Sequence, residues 1–516
     1  MAQAKFVTGS IMRHIWVMSS TSAVGISALF VVDLLDMFFL SLLGHQELAA
    51  AVGYAGTISF FTTSIGIGLS IALGAVVSRA IGQRDMAAAK RLLMSAAVVT
   101  VVVAILVSVI VTLNIPTLLD WVGASGETKT LAAKYLYILV PSLPFICLAM
   151  ALGAALRAVG DARLSMLSTL AGGGVNAVLD PIFIFLLAMG IEGAAVASVL
   201  ARLAVMLVAG RGVIIKHRLL GRLDWPGFKA DLRPVLAIAV PAMLTNIATP
   251  IGNGVVTRAI AEFGDAYVAG WAVVGRVIPV AFGMIFALSG AIGPIIGQNF
   301  GAREFGRVRE TLTRAIQFCI GYVLLVSLLL LMCRQPLVAA FDLSGKSADI
   351  AHFFLTFIAV SFIFNGILFV ANASFNNLGK AKYSTFFNVG KALLGTIPFV
   401  YVGGLLGGAH GVLVGQALGS VVFGGAGVMV AYRLVEKVRM QHQFQVDEAT
   451  SIPVGRVAVS GKDPLEDEAD FEELSPVAAS PLSSSCAQMA QLAEEQDLSD
   501  CEAAERRKQA QLYTNN

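Results

Sequence analysis

The chain reads as an all-α polytopic membrane protein, with about twelve transmembrane helices in two six-helix lobes related as parallel repeats. Three observations predict this. Of 516 residues, 57% are hydrophobic and only 13% charged, and the mean hydropathy is +0.80, outside the range of soluble domains. Apolar runs long enough to cross a bilayer recur to residue 434, separated by short polar or Gly/Pro breaks. The second half of these runs repeats the first. Strand-length alternation does not compete with them, which argues against a barrel.

In order, the expected spans are 15–43, 52–78, 92–113, 131–156, 164–187 and 193–215, then 234–263, 266–296, 311–333, 351–378, 383–405 and 409–434. The first run lacks a small-residue cleavage site and is too long for a signal-peptide core, so it is expected to remain as a helix. Placing the N-terminus inside puts Lys5, Arg13, Arg79, Arg84, Lys90, Arg91, Arg157 and Arg163 on one face, with the basic residues of 216–233, 303–314, 380–382 and 433–439. The opposite face keeps Lys129, Lys134, Arg334 and Lys346 near its loops. That asymmetry predicts a multi-pass protein of a bacterial cytoplasmic membrane with both termini cytoplasmic.

The longest internal polar stretch, Lys216 to Arg233, reads as a cytoplasmic linker between lobes at 1–215 and 234–435. Its basic residues suit topology and lipid headgroups; they lack the aromatic interleaving of a nucleic-acid site. GAVVSRAIGQRDMAAAKR at 74–91 lies over GPIIGQNFGAREFGRVRE at 293–310, AALRAVGDARLS at 154–165 over ASFNNLGKAKYS at 373–384, and GIEGAAVASVLA at 190–201 over GAHGVLVGQALG at 408–419. The near-constant offset marks two units of one orientation, with a binding cavity expected between them near the midplane. Residues 436–516 turn acidic and Ser/Pro-rich and read as a disordered cytoplasmic tail.

The chemistry is expected in the first lobe. LFVVDLLDMFFLSLLGHQELAA at 29–50 is apolar enough for lipid yet carries Asp33 and Asp36 one helical turn apart. An ionised Asp at mid-span costs roughly 2.5 to 3.5 kcal/mol, so such residues mark ion or proton paths. The fifth span carries NAVLDPIFIF, in which Asn176 and Asp180 share a helical face. Asp36 and Asp180 each lie ~12 Å before the outer end of their helices, so the two carboxyls would share a desolvated pocket that favours proton uptake. Pro181 predicts a kink or a freed backbone carbonyl.

The second lobe lacks the acid and offers Asn246, Asn253, Arg276 and Lys391, a basic wall that suits zwitterionic or anionic substrates. Arg202 in the sixth span could be a counter-ion for Asp180. Gly172 to Gly174 and the Gly-rich run at 403–411 sit in or beside spans and predict close helix packing rather than phosphate binding. Five cysteines show neither metal spacing nor a disulfide framework. An enzyme is not expected, because no loop clusters a nucleophile with a base or His with acids, and a channel lacks its charged rings.

DMFFLSLLGHQELAA, GPIIGQNFGA and NAVLDPIFIF followed by GIEGAAVAS together resemble the multidrug and toxic compound extrusion (MATE) family, over residues 15 to 434 and in both halves. The resemblance implies a two-lobe exporter of amphipathic, often cationic compounds, working by alternating access against protons or sodium. Its cation or proton site falls on Asp36, Asn176 and Asp180. Members of the sodium-coupled branch carry acids in helices seven and ten; here helix seven offers Asn and helix ten no acid, which favours protons. The proline often found in the family's first helix is missing here. The expectation is a proton-coupled antiporter exporting amphipathic, cationic organic compounds. Exporters of a metabolite or organic anion, or a flippase for a lipid-linked precursor, are the alternatives. No cofactor is expected beyond the coupling ion, a proton with sodium as the alternative. The expected partners are a small amphipathic substrate and the bilayer, with no nucleic acid, and the protein is expected to be a monomer.

Overall fold

The computed structural model describes residues 4–41, 46–341 and 343–451, with the side chains of 33–34, 37–38, 41, 46–47, 49 and 445–451 outside that description. Among the described residues every regular element is helical. The first lobe comprises α1 (Ile11–Ser41), α2 (Gln46–Gly82), α3 (Met86–Trp121), α4 (Gly126–Leu139), α5 (Leu143–Ala158), α6 (Ala162–Pro181) and α7 (Gly190–Arg211). The second comprises α8 (Trp225–Ala261), α9 (Asp265–Gly301), α10 (Phe305–Met332), the short α11 (Arg334–Ala340), α12 (Gly345–Phe353), α13 (Phe362–Asn377), α14 (Lys382–Gly390) and α15 (Ile397–Ser451).

Two expected spans are each built from two helices, broken at matching places in the repeat. Pro141 and Pro144 interrupt the fourth span, where a 3-10 turn over Val140–Ser142 separates α4 from α5. In the tenth span a wide turn over Phe354–Ile358 and a 3-10 turn over Ala359–Ser361 separate α12 from α13. The last two spans form a hairpin from α14 through a wide turn over Lys391–Thr396 into α15, bent at Gly407 and at Gly408, whose φ of +59° suits glycine. The two helical arms of this hairpin lie backbone to backbone. A Cβ at Gly411 would overlap the Gly403 carbonyl, one at Gly415 the Phe399 carbonyl, and one at Gly419 the Gly395 carbonyl. The glycine run thus serves close packing.

The repeat is visible atom by atom where the lobes cross. Near their C-terminal ends α2 and α9 touch through glycine: a Cβ on Gly82 would meet the Gln298 carbonyl, and one on Gly301 the Arg79 carbonyl. Both helices then leave through a left-handed arginine, Arg84 at φ 62° and Arg303 at φ 63°. Arg79 donates to the Asn377 carbonyl at 2.9 Å, and Gln298, its repeat counterpart, to the Ala158 carbonyl at 2.7 Å. Each lobe therefore covers the end of a helix in the other.

The N-terminal turn Lys5–Val7 seats on this crossing. The Phe6 ring is buried, its N–H donates to Gln298 at 2.9 Å, and its carbonyl accepts from Asn299 and Arg307, while Lys5 reaches the Gly160 carbonyl at 3.2 Å. Toward their opposite ends the same helices carry glycines with free space beside them. Gly56 and Gly275, again repeat counterparts, would meet nothing within 4 Å on gaining a Cβ. The crossing ties the lobes together at the end that carries the N-terminus.

Two expected boundaries move. Residues 225–233 are not linker but the first turns of α8, capped by the Asp224 carboxylate on the Gly227 N–H at 3.0 Å with Pro226 in the first turn. Only 217–224 remains outside a helix, because polarity was no obstacle to helix formation at the membrane surface. Asp231 on that extension is buried, taking both a two-pronged bond from Arg91 and the Ser95 hydroxyl at 2.8 Å. The tail also starts later, since α15 continues to Ser451; residues 452–516 lie outside the described residues.

Asp161, between α5 and α6, caps α6 through the Leu164 N–H and accepts from Lys216 at 2.7 Å and His217 at 2.8 Å. Burial alone would raise its carboxyl, but the bonds from Lys216, His217 and the backbone outweigh it and hold the group below the usual carboxylate range. A depressed folded value contributes stability above the unfolded value of about 4, and this is lost as pH falls through the folded one. Thermal unfolding in detergent should therefore separate wild type from Asp161→Asn at neutral pH, and the gap should close as pH drops below about 4.

Candidate functional site

Glycine again decides which helices approach. On α6, Gly173 faces Val32 of α1 with only 3.1 Å for a Cβ, and Gly25 of α1 faces Thr169 and Met166 of α6. Gly172, one residue earlier, faces Val205 and Ala201 of α7. Along this seam the three polar residues expected from the sequence converge. Asn176 Nδ2 donates to Asp36 Oδ1 at 2.5 Å and to Asp180 Oδ2 at 3.0 Å. An amide NH2 has two donors and both are spent on carboxyl oxygens, which fixes the orientation of the Asn176 side chain.

Asp180 is fully buried and Asn176 nearly so. Asp180 Oδ1 and Asn176 Oδ1 are buried without a hydrogen-bond partner. Two buried oxygens beside a second carboxyl are thus left as acceptors that no protein donor fills. Beyond Asp180 the chain does not simply kink. Pro181 passes into a wide helical turn over Ile182–Leu186, the kind of bulge that recurs at functional sites. The side chain of Asp33 lies outside the described residues.

Arg202 is not a counter-ion for Asp180. Its guanidinium donates to the Leu139 carbonyl at 3.2 Å and to the Ser142 hydroxyl at 2.9 Å. The proline break between α4 and α5 frees those acceptors, and the cation goes to them. In the second lobe, Asn246 turns back onto the Ala242 carbonyl of its own helix at 2.8 Å, and Asn253 and Arg276 are exposed.

Lys391 instead bonds Asn365 Oδ1 on α13, with the Ser420 hydroxyl of α15 at 3.5 Å from the same oxygen. Sequence reading missed Asn365 and Ser420. The signal for Asn365 was its isolation in an otherwise apolar run before Gly366. A cavity of about 560 Å³ lies against the α15 hairpin and is lined by apolar residues such as Pro398, Val402 and Val414; its one ionisable residue, His410, pairs with Asp349 at 3.0 Å. It contains none of the site residues.

Two repeated bundles of membrane-length helices, crossing at one end and holding a buried carboxyl pair, define a two-lobe membrane transporter rather than an enzyme. The chain belongs to the MatE family, whose model matches residues 22–182 and again 241–402, once in each lobe. It is similar to an FAD transporter of Shewanella oneidensis, 27% identical over 82% of this chain and 94% of that protein. It is also similar to the multidrug export protein MepA of Staphylococcus aureus, 24% identical over 78% of this chain and 90% of that one. Among solved structures it superposes on the Vibrio cholerae MATE transporter VcmN with a TM-score of 0.77 and 26% identity, covering 82% of this chain and 96% of that one.

Proposed function

We propose that the protein is a proton-coupled antiporter that exports amphipathic organic compounds, cationic ones included, by alternating access. The observation that carries this is the Asn176 amide shared by the Asp36 and Asp180 carboxyls, with two buried oxygens left over to take up charge. We place the crossing end, with both termini, on the cytoplasmic side of a bacterial inner membrane, in agreement with the bias of Lys and Arg. We take this state as outward-open, so that the acid pair loads from outside. Proton uptake removes the negative charge that holds a cationic substrate, so proton loading and substrate binding are exclusive. The relatives support a broad substrate range, one being named a multidrug exporter and one an FAD transporter. We divide the lobes at the loop 217–224 and propose a monomer as the working unit.

The test is efflux of ethidium from proteoliposomes under an imposed pH gradient, a sodium gradient, or a potassium diffusion potential. The pH gradient supplies ~1.4 kcal/mol per unit and is expected to drive transport at equal sodium. Transport that follows sodium at constant pH overturns the proton reading, and no movement of the cation under any gradient overturns the substrate class.

A further inference from the structure

We infer that Lys391, Asn365 and Ser420 form an anion-binding subsite in the second lobe, which takes the carboxylate or phosphate of an amphipathic substrate. The inference deepens the export reading by naming a substrate class, and it uses no residue of the acid pair.

Lys391 lies nine residues into its span, ~13 Å from the membrane face, and opens a widened turn over Lys391–Thr396 in which Thr396 Oγ1 donates to the Lys391 carbonyl at 2.9 Å. Such widened turns recur at functional sites. The ammonium has three donors, and its hydrogen-bond partner here is the neutral carbonyl of Asn365. Among the described residues no Asp or Glu forms an ion pair with it. A positive charge held at that depth by one neutral oxygen lacks the counter-charge that intramembrane cations ordinarily find.

Arg202 in the first lobe makes the contrast. It too lies beside a broken span, but a backbone carbonyl and a serine satisfy it. Lys391 has instead a side-chain amide that can turn. Rotated about its last torsion, Asn365 presents its NH2 rather than its oxygen, so that ammonium and amide become converging donors, joined by the Ser420 hydroxyl when it turns from the Gln416 carbonyl that it meets at 3.0 Å, which is what an oxyanion requires. Asn365 and Lys391 are each only half-buried, while Ser420 behind them is buried, so the cluster has an accessible side and a closed back. Phe423 packs against Gly390 and Gly395 on both flanks of the turn, offering apolar surface beside the charge. Broken helices at corresponding places in the two repeats, here 140–142 and 359–361, are where binding sites of repeated transporters are built.

The experiment is equilibrium binding to the full chain in lipid nanodiscs, at one pH and without any gradient, followed by fluorescence anisotropy. The probes are rhodamine B, which carries a free carboxylate, and its ethyl ester, which does not. Wild type is expected to bind the acid about tenfold more tightly than the ester. Lys391→Gln should abolish that preference while leaving ester affinity within about twofold, Lys391→Arg should keep most of it, and Asn365→Ala should reduce it severalfold. Asn365→Ala decides the matter if Lys391→Gln does not yield folded protein. A wild type without preference for the acid, a preference that survives Lys391→Gln and Asn365→Ala, or an equal loss of both dyes overturns the subsite. Because no gradient is applied, failure here leaves proton-driven efflux of a simple cation untouched, and the reverse also holds.

Discussion

Asp180→Asn is expected to abolish pH-driven efflux, and Asp36→Asn to do the same, each lowering the initial rate by about ten- to a hundredfold. Asparagine keeps the shape of either carboxyl and cannot take up the proton. At Asp180 the new amide can keep its oxygen on the Asn176 NH2, with its own NH2 taking the place of the unpartnered Oδ1, so the variant tests the proton and not the hydrogen bond. Asn176→Leu separates the roles. It leaves both carboxyls but removes the donor they share, so efflux should persist at a reduced rate with an altered pH profile. Initial rates in proteoliposomes across external pH read all three variants. Undiminished pH-driven transport in both aspartate variants would place the coupling site elsewhere in the chain.

Gly301→Val is expected to have the second largest effect, although it lies far from any ionisable cluster. The added Cβ would overlap the Arg79 carbonyl, and α2 can yield only by moving away from α9, opening the crossing that Phe6, Gln298 and Arg79 close. Overpacking of this kind costs about 1–3 kcal/mol, charged here only to the state in which this end is shut. Melting temperature in detergent should fall, and a fluorophore pair across the two lobes at this end should report a larger separation. Gly82→Val, at the repeat counterpart against Gln298, should behave alike. Gly56→Val, where a side chain meets open space, is the control and should change neither readout. Equal melting temperatures and separations for Gly301→Val and Gly56→Val would mean that the glycine crossing does not hold this end shut.

Spans, their number and their repeat were legible in the chain because lipid imposes length and apolarity on every helix independently of its neighbours. The acid cluster was legible for a related reason. Asn176 and Asp180 share a face by helical period, and depth counted along the chain put Asp36 level with them. Polarity, however, misplaced two boundaries, since a helix leaving the membrane keeps its hydrogen bonds when its side chains turn polar, as Trp225–Arg233 and the run to Ser451 do. Partner choice was out of reach altogether. A guanidinium seeks the nearest acceptors in space, and a proline break brought Leu139 and Ser142 to Arg202 instead of Asp180. Lys391 reached Asn365 across two helices for the same reason, so the chemistry of single residues belongs to the sequence, while their pairing, and the end at which the lobes are tied together, follows from how helices cross at their glycines.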